Sequence, residues 1–224
     1  MTTADALLAA VIAAPDDDLP RLVLADYLEE SGDPLRAEFI RLQCLIASDP
    51  HPPEAARDRV DALFRAHGRV WLAPLRATGE PLAHFRTHTK FQRGFVESVW
   101  MPPGVFAATA ERLFSLCPVR EVRFLLDRPA GFEKAMGCRR LAGVTAVEVA
   151  DGRFGIRGAR AVAESEHLGG LRALRLPGCN LNDDAATELC GSGLTLTELD
   201  VRHNPLTDAG KRVLRARFGA AVAV

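Results

Sequence analysis

The eleven residues Leu196-Thr-Glu-Leu-Asp-Val-Arg-His-Asn-Pro-Leu206 decide how this chain is read. Aliphatic side chains occupy positions 1, 4, 6 and 11 of the stretch (Leu196, Leu199, Val201 and Leu206), with Asn204 at position 9. Twenty-five residues earlier, Leu171 to Leu181 repeats the spacing, with Leu171, Leu174, Leu176 and Leu181 in place and Cys179 at position 9. Counting backward, the same register falls on Val144, Val119 and Val96, so successive starts lie 23, 25, 27 and 25 residues apart. A period of about 20 to 29 residues suits one strand-plus-helix unit. Positions 1, 4 and 6 stay apolar throughout: Val96, Val99, Met101; Val119, Val122, Phe124; Val144, Val147, Val149. The second half of each unit repeats as well. Position 15 is small in four units (Ala110, Gly158, Ala185, Gly210), which lets neighbouring helices approach; Glu133 breaks the column, and Pro129 and Gly137 break those at positions 11 and 19. An irregular segment is expected there.

The stretches at Leu171 and Leu196 resemble the leucine-rich repeat, in which cysteine is the known alternative to asparagine at position 9. The long segments between strands are similar to the ribonuclease-inhibitor-like class, a resemblance carried chiefly by residues 171 to 218. It implies an α/β solenoid over residues 94–224, of about five units, with parallel strands on the concave side and helices on the convex side. Asn182-Asp183-Asp184 and Thr207-Asp208 stand where helix N-caps are needed. The next strand falls near residue 221, where Val222 and Val224 suit a closing edge, and a solenoid needs such a cap.

Residues 1–75 are expected to be helical. Leu7, Leu8, Val11 and Ile12 form one stripe, and Pro15-Asp16-Asp17-Asp18 ends that helix while offering a capping carboxylate to the next. Ser31-Gly32 closes the second helix, and Asp33-Pro34 opens a third with an N-cap carboxylate and a proline at the first position. Ser48 to Pro53 breaks it. A fourth helix then runs from Glu54 to about Leu75, with Val60, Leu63, Phe64 and Trp71 as core. Leu22-Val-Leu-Ala-Asp-Tyr-Leu-Glu-Glu-Ser-Gly-Asp33 followed by Arg36-Ala-Glu-Phe-Ile-Arg-Leu-Gln43 resembles the repeat-companion domain, a short bacterial helical module found ahead of leucine-rich repeats. That resemblance implies no activity. Residues 76–93 read as a linker or a cap on the first repeat.

The bulk composition narrows the function classes. Net charge is −1 with a pI near 6.6, which gives no global attraction to nucleic acid or anionic lipid. Five widely spaced cysteines without a C-x-x-C pair argue against a disulfide framework or a zinc knuckle. No apolar run reaches ~18 residues and Met-Thr-Thr-Ala-Asp is no signal peptide, so a cytoplasmic protein without a membrane span is expected.

Side chains alternate along a strand, so position 5 should project from the open face of the sheet. It carries Trp100, Arg123, Glu148, Arg175 and Asp200; position 3 adds Ser98, Glu121, Ala146, Ala173 and Glu198, and position 8 adds His203. Tryptophan and arginine are enriched at interface hot spots, which points to an unidentified protein partner. The alternating signs Arg123, Glu148, Arg175 and Asp200 fit a lateral ion-pair ladder equally well. Trp100 is either an exposed anchor or a buried cover for the first unit. Asp26, Glu38 and Arg41 form a polar cluster in the helical region, readable as a site or as an interhelical salt bridge, with Glu38 and Arg41 spaced to pair on one helix.

No G-x-S-x-G elbow, Walker loop, G-x-G-x-x-G or H-E-x-x-H is present, so no catalytic residue or cofactor is assigned. The alternative is an enzyme whose groups converge only in the fold, for instance Asp26, Glu38 and His84. His84 and His88 have helical ligand spacing but no third ligand, so no metal is assigned. The basic and aromatic mixture around Phe85, Lys90, Phe91 and Arg93 could contact RNA or DNA, against which the neutral whole chain argues.

Overall fold

The structure, a computed structural model, describes residues 2–78, 89–125, 131–150 and 154–224, with the backbone alone at 76–78 and 150. His84, Phe85, His88 and Pro129 lie outside the described residues. The chain is an α/β protein whose strands form one mostly parallel, open seven-stranded sheet in chain order. It divides into two compact units, Met1–Ser98 with Arg112–Pro118 and Val99–Glu111 with Val119–Val224.

The first unit begins with four helices, α1 Thr3–Ala13, α2 Leu19–Glu30, α3 Pro34–Ser48 and α4 Glu54–Trp71. Their ends follow local chemistry. Thr2 and Asp5 form a reciprocal capping box on α1, and the Asp17 carboxylate accepts from the Leu19 amide at the start of α2. Gly32, at φ +92°, supplies the left-handed residue after α2, and Asp33 accepts from the Arg36 amide to open α3. Val11, Leu24, Ala25, Ala37, Ile40 and Cys44 bury against Phe95, while Phe39, Val60 and Leu63 gather Phe64, Trp71 and Phe91 into a second cluster. Each fully buried side chain of this size contributes about 1.5–3 kcal/mol.

Strands β1 (Thr89–Gln92) and β2 (Phe95–Met101) are joined by Arg93 and Gly94, both at positive φ (48° and 88°). Two such residues make the tight turn that reverses a chain between paired strands. A Cβ at Gly94 would lie 2.9 Å from the Ile40 Cα, so the turn also demands glycine for space. Thr89–Gln92 lies within the stretch read as a linker or cap.

The second unit holds the remaining strands in register. Glu121↔Ala146, Ala146↔Ala173 and Ala173↔Glu198 are partners along β3 (Glu121–Leu125), β4 (Ala146–Ala150), β5 (Ala173–Arg175) and β6 (Glu198–Asp200). These are the third positions of consecutive sequence units. The last strand, β7 (Val222–Ala223), pairs parallel to β6 near the expected place but two residues early in register, Leu199 facing Val222 and not Val224. Between strands run α5 (Pro103–Leu116), α6 (Phe132–Met136), α7 (Gly155–Ala163), α8 (Asp183–Cys190) and α9 (Asp208–Phe218). Among its described residues, the segment expected to be irregular holds the one-and-a-half-turn α6 and a 3₁₀ turn, Arg139–Gly143. Phe106, Phe124, Phe132 and Phe154 meet edge to face in sequence, with centroids 5.3–5.5 Å apart, through the interior. The small residues at position 15 are close-packed: a Cβ on Gly158 would strike the Phe154 ring and one on Gly210 the Asp183 carboxylate.

Position 9 shows why asparagine suits these turns. Asn204 Nδ2 donates to the carbonyls of Leu176 and Val201, each at 2.8 Å, and Oδ1 accepts from the Leu181 amide at 2.9 Å. One side chain thereby satisfies main-chain groups of two successive turns. Cys179 does less of the same work, its Sγ lying 3.2 Å from the Val149 carbonyl.

Candidate functional site

The position-5 residues form a connected row on one face of the second unit's sheet. Trp100 is half-buried, and the Arg123 guanidinium lies over its ring at 4.0 Å from the centroid. Trp100 is therefore neither wholly exposed nor sealed. Arg123 also pairs with Glu148 on the next strand at 2.8 Å, as the lateral-ladder reading requires. The ladder then departs from nearest neighbours. Arg175 grips Glu198 on β6 through Nε and Nη2, at 2.6 and 2.8 Å, and reaches Glu121 on β3 through Nη1 at 3.0 Å. Glu121 is two strands away, and its partner on the intervening strand β4 is Ala146, whose methyl group leaves the path open. These bonds raise the Arg175 pKa and hold Glu198 below the usual carboxylate range.

Asp200 corrects the expectation of a solvent-facing residue, being only 8% exposed. The Arg202 guanidinium closes over it, donating to both carboxylate oxygens at 2.6 and 2.9 Å, and the Arg202 amide donates as well. Those bonds hold Asp200 below its ordinary pKa. Ser98 is buried too, so it adds nothing to the open face. His203 is exposed at φ +62°, in the turn after β6.

The helical polar cluster separates into two pairs. Arg41 on α3 donates to Asp26 and Glu29 on α2, at 2.6 and 2.7 Å, an interhelical bridge on an exposed surface. Glu38 does not pair with Arg41; it receives a two-pronged bond from Arg59 of α4 at 2.6–2.7 Å. The reason is geometric, since the two residues leave α3 on flanks facing different neighbours. Asp26 and Glu38 therefore do not converge on one point, and each has its own arginine.

Three polar side chains of the helices converge instead on the β1–β2 turn. Arg21, fully buried, donates to the Arg93 carbonyl at 3.1 Å and the Pro15 carbonyl at 2.7 Å, and sits 2.8 Å from the buried Glu97 carboxylate. Arg93 completes that cluster with Glu97 and Asp18. Arg36 donates to the Gly94 carbonyl, and its guanidinium is ringed by Trp71 (4.8 Å), Phe95 (5.4 Å), Phe39 (5.5 Å) and Phe91 (5.6 Å). Burial pushes Arg36 down to about 10, so it stays charged at neutral pH. Gln43 accepts from the Gly94 amide at 2.8 Å. Arg36 and Gln43 stand in the polar run singled out in the sequence, whereas Arg21 carries no sequence signal beyond its helical spacing to Leu24 and Ala25. Phe91, half-buried, packs on Phe39 and Phe64, and Arg93 pairs with Glu97 and Asp18.

Chemically, the open sheet face offers a tryptophan, compensated charges and no activated group. Burial pushes the Cys44 and Cys117 thiols up to about 12, which makes them inert rather than nucleophilic. Among the described residues, no group of three or more His, Cys, Asp or Glu side chains is arranged to hold a metal ion, and no helix is long and apolar enough to cross a membrane. No protein-family model matches the chain, and no curated protein is significantly similar to it.

Proposed function

We propose that the chain is a non-enzymatic protein-interaction module, a helical repeat-companion domain followed by a short leucine-rich-repeat solenoid that binds a protein partner through its open sheet face. One observation carries the reading: Trp100, Arg123, Glu148 and Arg175 stand part-exposed in one row, each arginine already held by carboxylates or a ring. Side chains ordered before contact lose less entropy on binding, and tryptophan and arginine dominate interface energetics. Five free cysteines fit work in a reducing compartment, and the reading places the protein in the cytoplasm.

Photo-crosslinking from single positions tests this. A benzoylphenylalanine at position 100 or 203 should capture the same protein in cells, while one at position 157, on the outer surface of α7, should not. Adducts from position 157 alone, or none from 100 and 203, would overturn the proposal.

A further inference from the structure

Charge is unevenly distributed along this nearly neutral chain. Residues 1–48 hold nine acids against three arginines and no lysine, whereas residues 201–224 hold one acid against five arginines and lysines. Each imbalance surfaces on one helix. The outward stripe of α2 places Leu19, Leu22 and Val23 one turn ahead of Asp26, Glu29 and Glu30, at the i, i+3, i+4, i+7 spacing of a packing face. Such positions are ordinarily polar on a solvent-facing helix. Here Leu19 is 64% exposed, with Leu22 and Val23 at 37% and 43%.

The outward stripe of α9 is its complement. Gly210, Leu214 and Phe218 face inward, which turns Ala209, Arg212, Val213 and Ala216 outward at the same spacing, with Arg215 beside them. Val213 is 42% exposed. Among the described residues, neither Arg212 nor Arg215 makes an ion pair or side-chain hydrogen bond, in contrast to Arg217, which is tied to the Ser192 and Leu194 carbonyls. Glu30 on α2 is likewise without a partner among the described residues. One face thus presents large apolar side chains followed by acids, of which Asp26 and Glu29 are bridged to Arg41 and Glu30 is not, and the other presents small side chains among arginines.

We propose that α2 of one copy docks on α9 of a second copy, a heterologous contact in which Leu19, Leu22 and Val23 seat on Ala209, Val213 and Ala216 while Arg212 and Arg215 meet the acids. Large side chains fill the room that small ones leave between helices, and opposite charge fixes the pairing against α2–α2 and α9–α9 alternatives. Every copy carries both faces, so the contact propagates or closes into a ring instead of stopping at a dimer. A single helix pair makes a small, transient interface, and association is therefore concentration-dependent and weakened by salt.

Sedimentation velocity on the full chain provides the test. At low salt and high micromolar concentration, the weight-average mass should rise past twice the 24.3 kDa of one chain and fall back toward it in molar salt. Two variants are then compared, Leu22→Lys/Glu30→Lys for the acidic face and Arg212→Glu/Arg215→Glu for the basic face, each shown folded by circular dichroism. Either variant alone should sediment as a monomer. Mixed in equal amounts they retain one competent pair of faces and should form a complex of twice the chain mass that grows no further. A wild-type chain that stays at 24.3 kDa throughout would overturn the proposal, as would variants that associate alone or a mixture that yields no dimer.

Discussion

Asn204→Ala is the sharpest perturbation of the turns between strands. The substitution removes two 2.8 Å bonds to the Leu176 and Val201 carbonyls and the 2.9 Å bond from the Leu181 amide. Leu181 is only 1% exposed, and water has little access to its stranded amide. A buried donor left unpaired costs about 1–3 kcal/mol, and each lost carbonyl bond about 0.5–1.5 kcal/mol; because Asn204 is itself part-exposed, we take the lower half of that range, about 3 kcal/mol. For a chain of this size that corresponds to a fall in Tm of roughly 6–12 °C. Cysteine, which serves at the equivalent position 179, keeps a weak donor, so Asn204→Cys should lie between wild type and alanine. Asn204→Asp retains the acceptor but faces two carbonyl oxygens with a carboxylate, and should be the least stable. Urea melts rank the series, and hydrogen exchange at the Leu181 amide reports the local event. An alanine variant within about 1 kcal/mol of wild type, with Leu181 still protected, would show that the turns are held by something other than this side chain.

Other expectations follow from the same coordinates. Asp183 is held below its ordinary pKa chiefly by the Thr207 hydroxyl, Glu198 by Arg175 and Asp200 by Arg202. A carboxylate with a depressed folded-state pKa contributes stability that is complete above its unfolded value, about 4, and lost as pH falls through the folded value. Thermal melts should therefore show Tm declining below about pH 4, and a flat profile there would contradict the assigned bonds. Gly94→Ala forces a side chain into a φ of +88° and against the Ile40 backbone, which should cost at least about 3 kcal/mol; near-UV circular dichroism and urea melts check it, and a wild-type midpoint would refute the turn. Cys44 and Cys117 should react with a thiol reagent far more slowly than the part-exposed Cys138 in the native chain, and all five should react once it is unfolded. Rapid native labelling of Cys117 would mean that its surroundings open.

The strand register is legible in the sequence because it depends on apolar side chains recurring at fixed intervals, and the four starts from Val119 to Leu196 agree with the observed pairing. Caps at Asp33, Asn182 and Thr207 are legible for a related reason, as each satisfies an amide within three residues. Partners of charged side chains are not. Arg175 reaches Glu121 across β4, where Ala146 offers only a methyl group, and Glu38 turns to Arg59 because of where α4 packs. The β1–β2 turn is obscured because its first residue is arginine, where asparagine or aspartate would announce it. Phe132 sits outside the repeated columns, so its place in the chain of phenylalanine rings emerges only in three dimensions.

The grip of Arg21, Arg36 and Gln43 on the turn before β2 has a consequence for anyone recombining such proteins. The helices, the strands of Thr89–Gln92 and Phe95–Ser98 and the segment Arg112–Pro118 belong to one compact unit, in which the main-chain oxygens at Arg93 and Gly94 accept from the Arg21 and Arg36 guanidinium groups. A chimaera spliced where helical composition ends, near residue 75, would separate Arg21, Arg36 and Gln43 from their partners in the turn, leave Arg21 only its Pro15 and Asp18 contacts, and leave the hairpin unsupported. A splice that carries the hairpin with the helices keeps each donor with its acceptor, and Arg112–Pro118, which belongs to the same compact unit, has to travel with them.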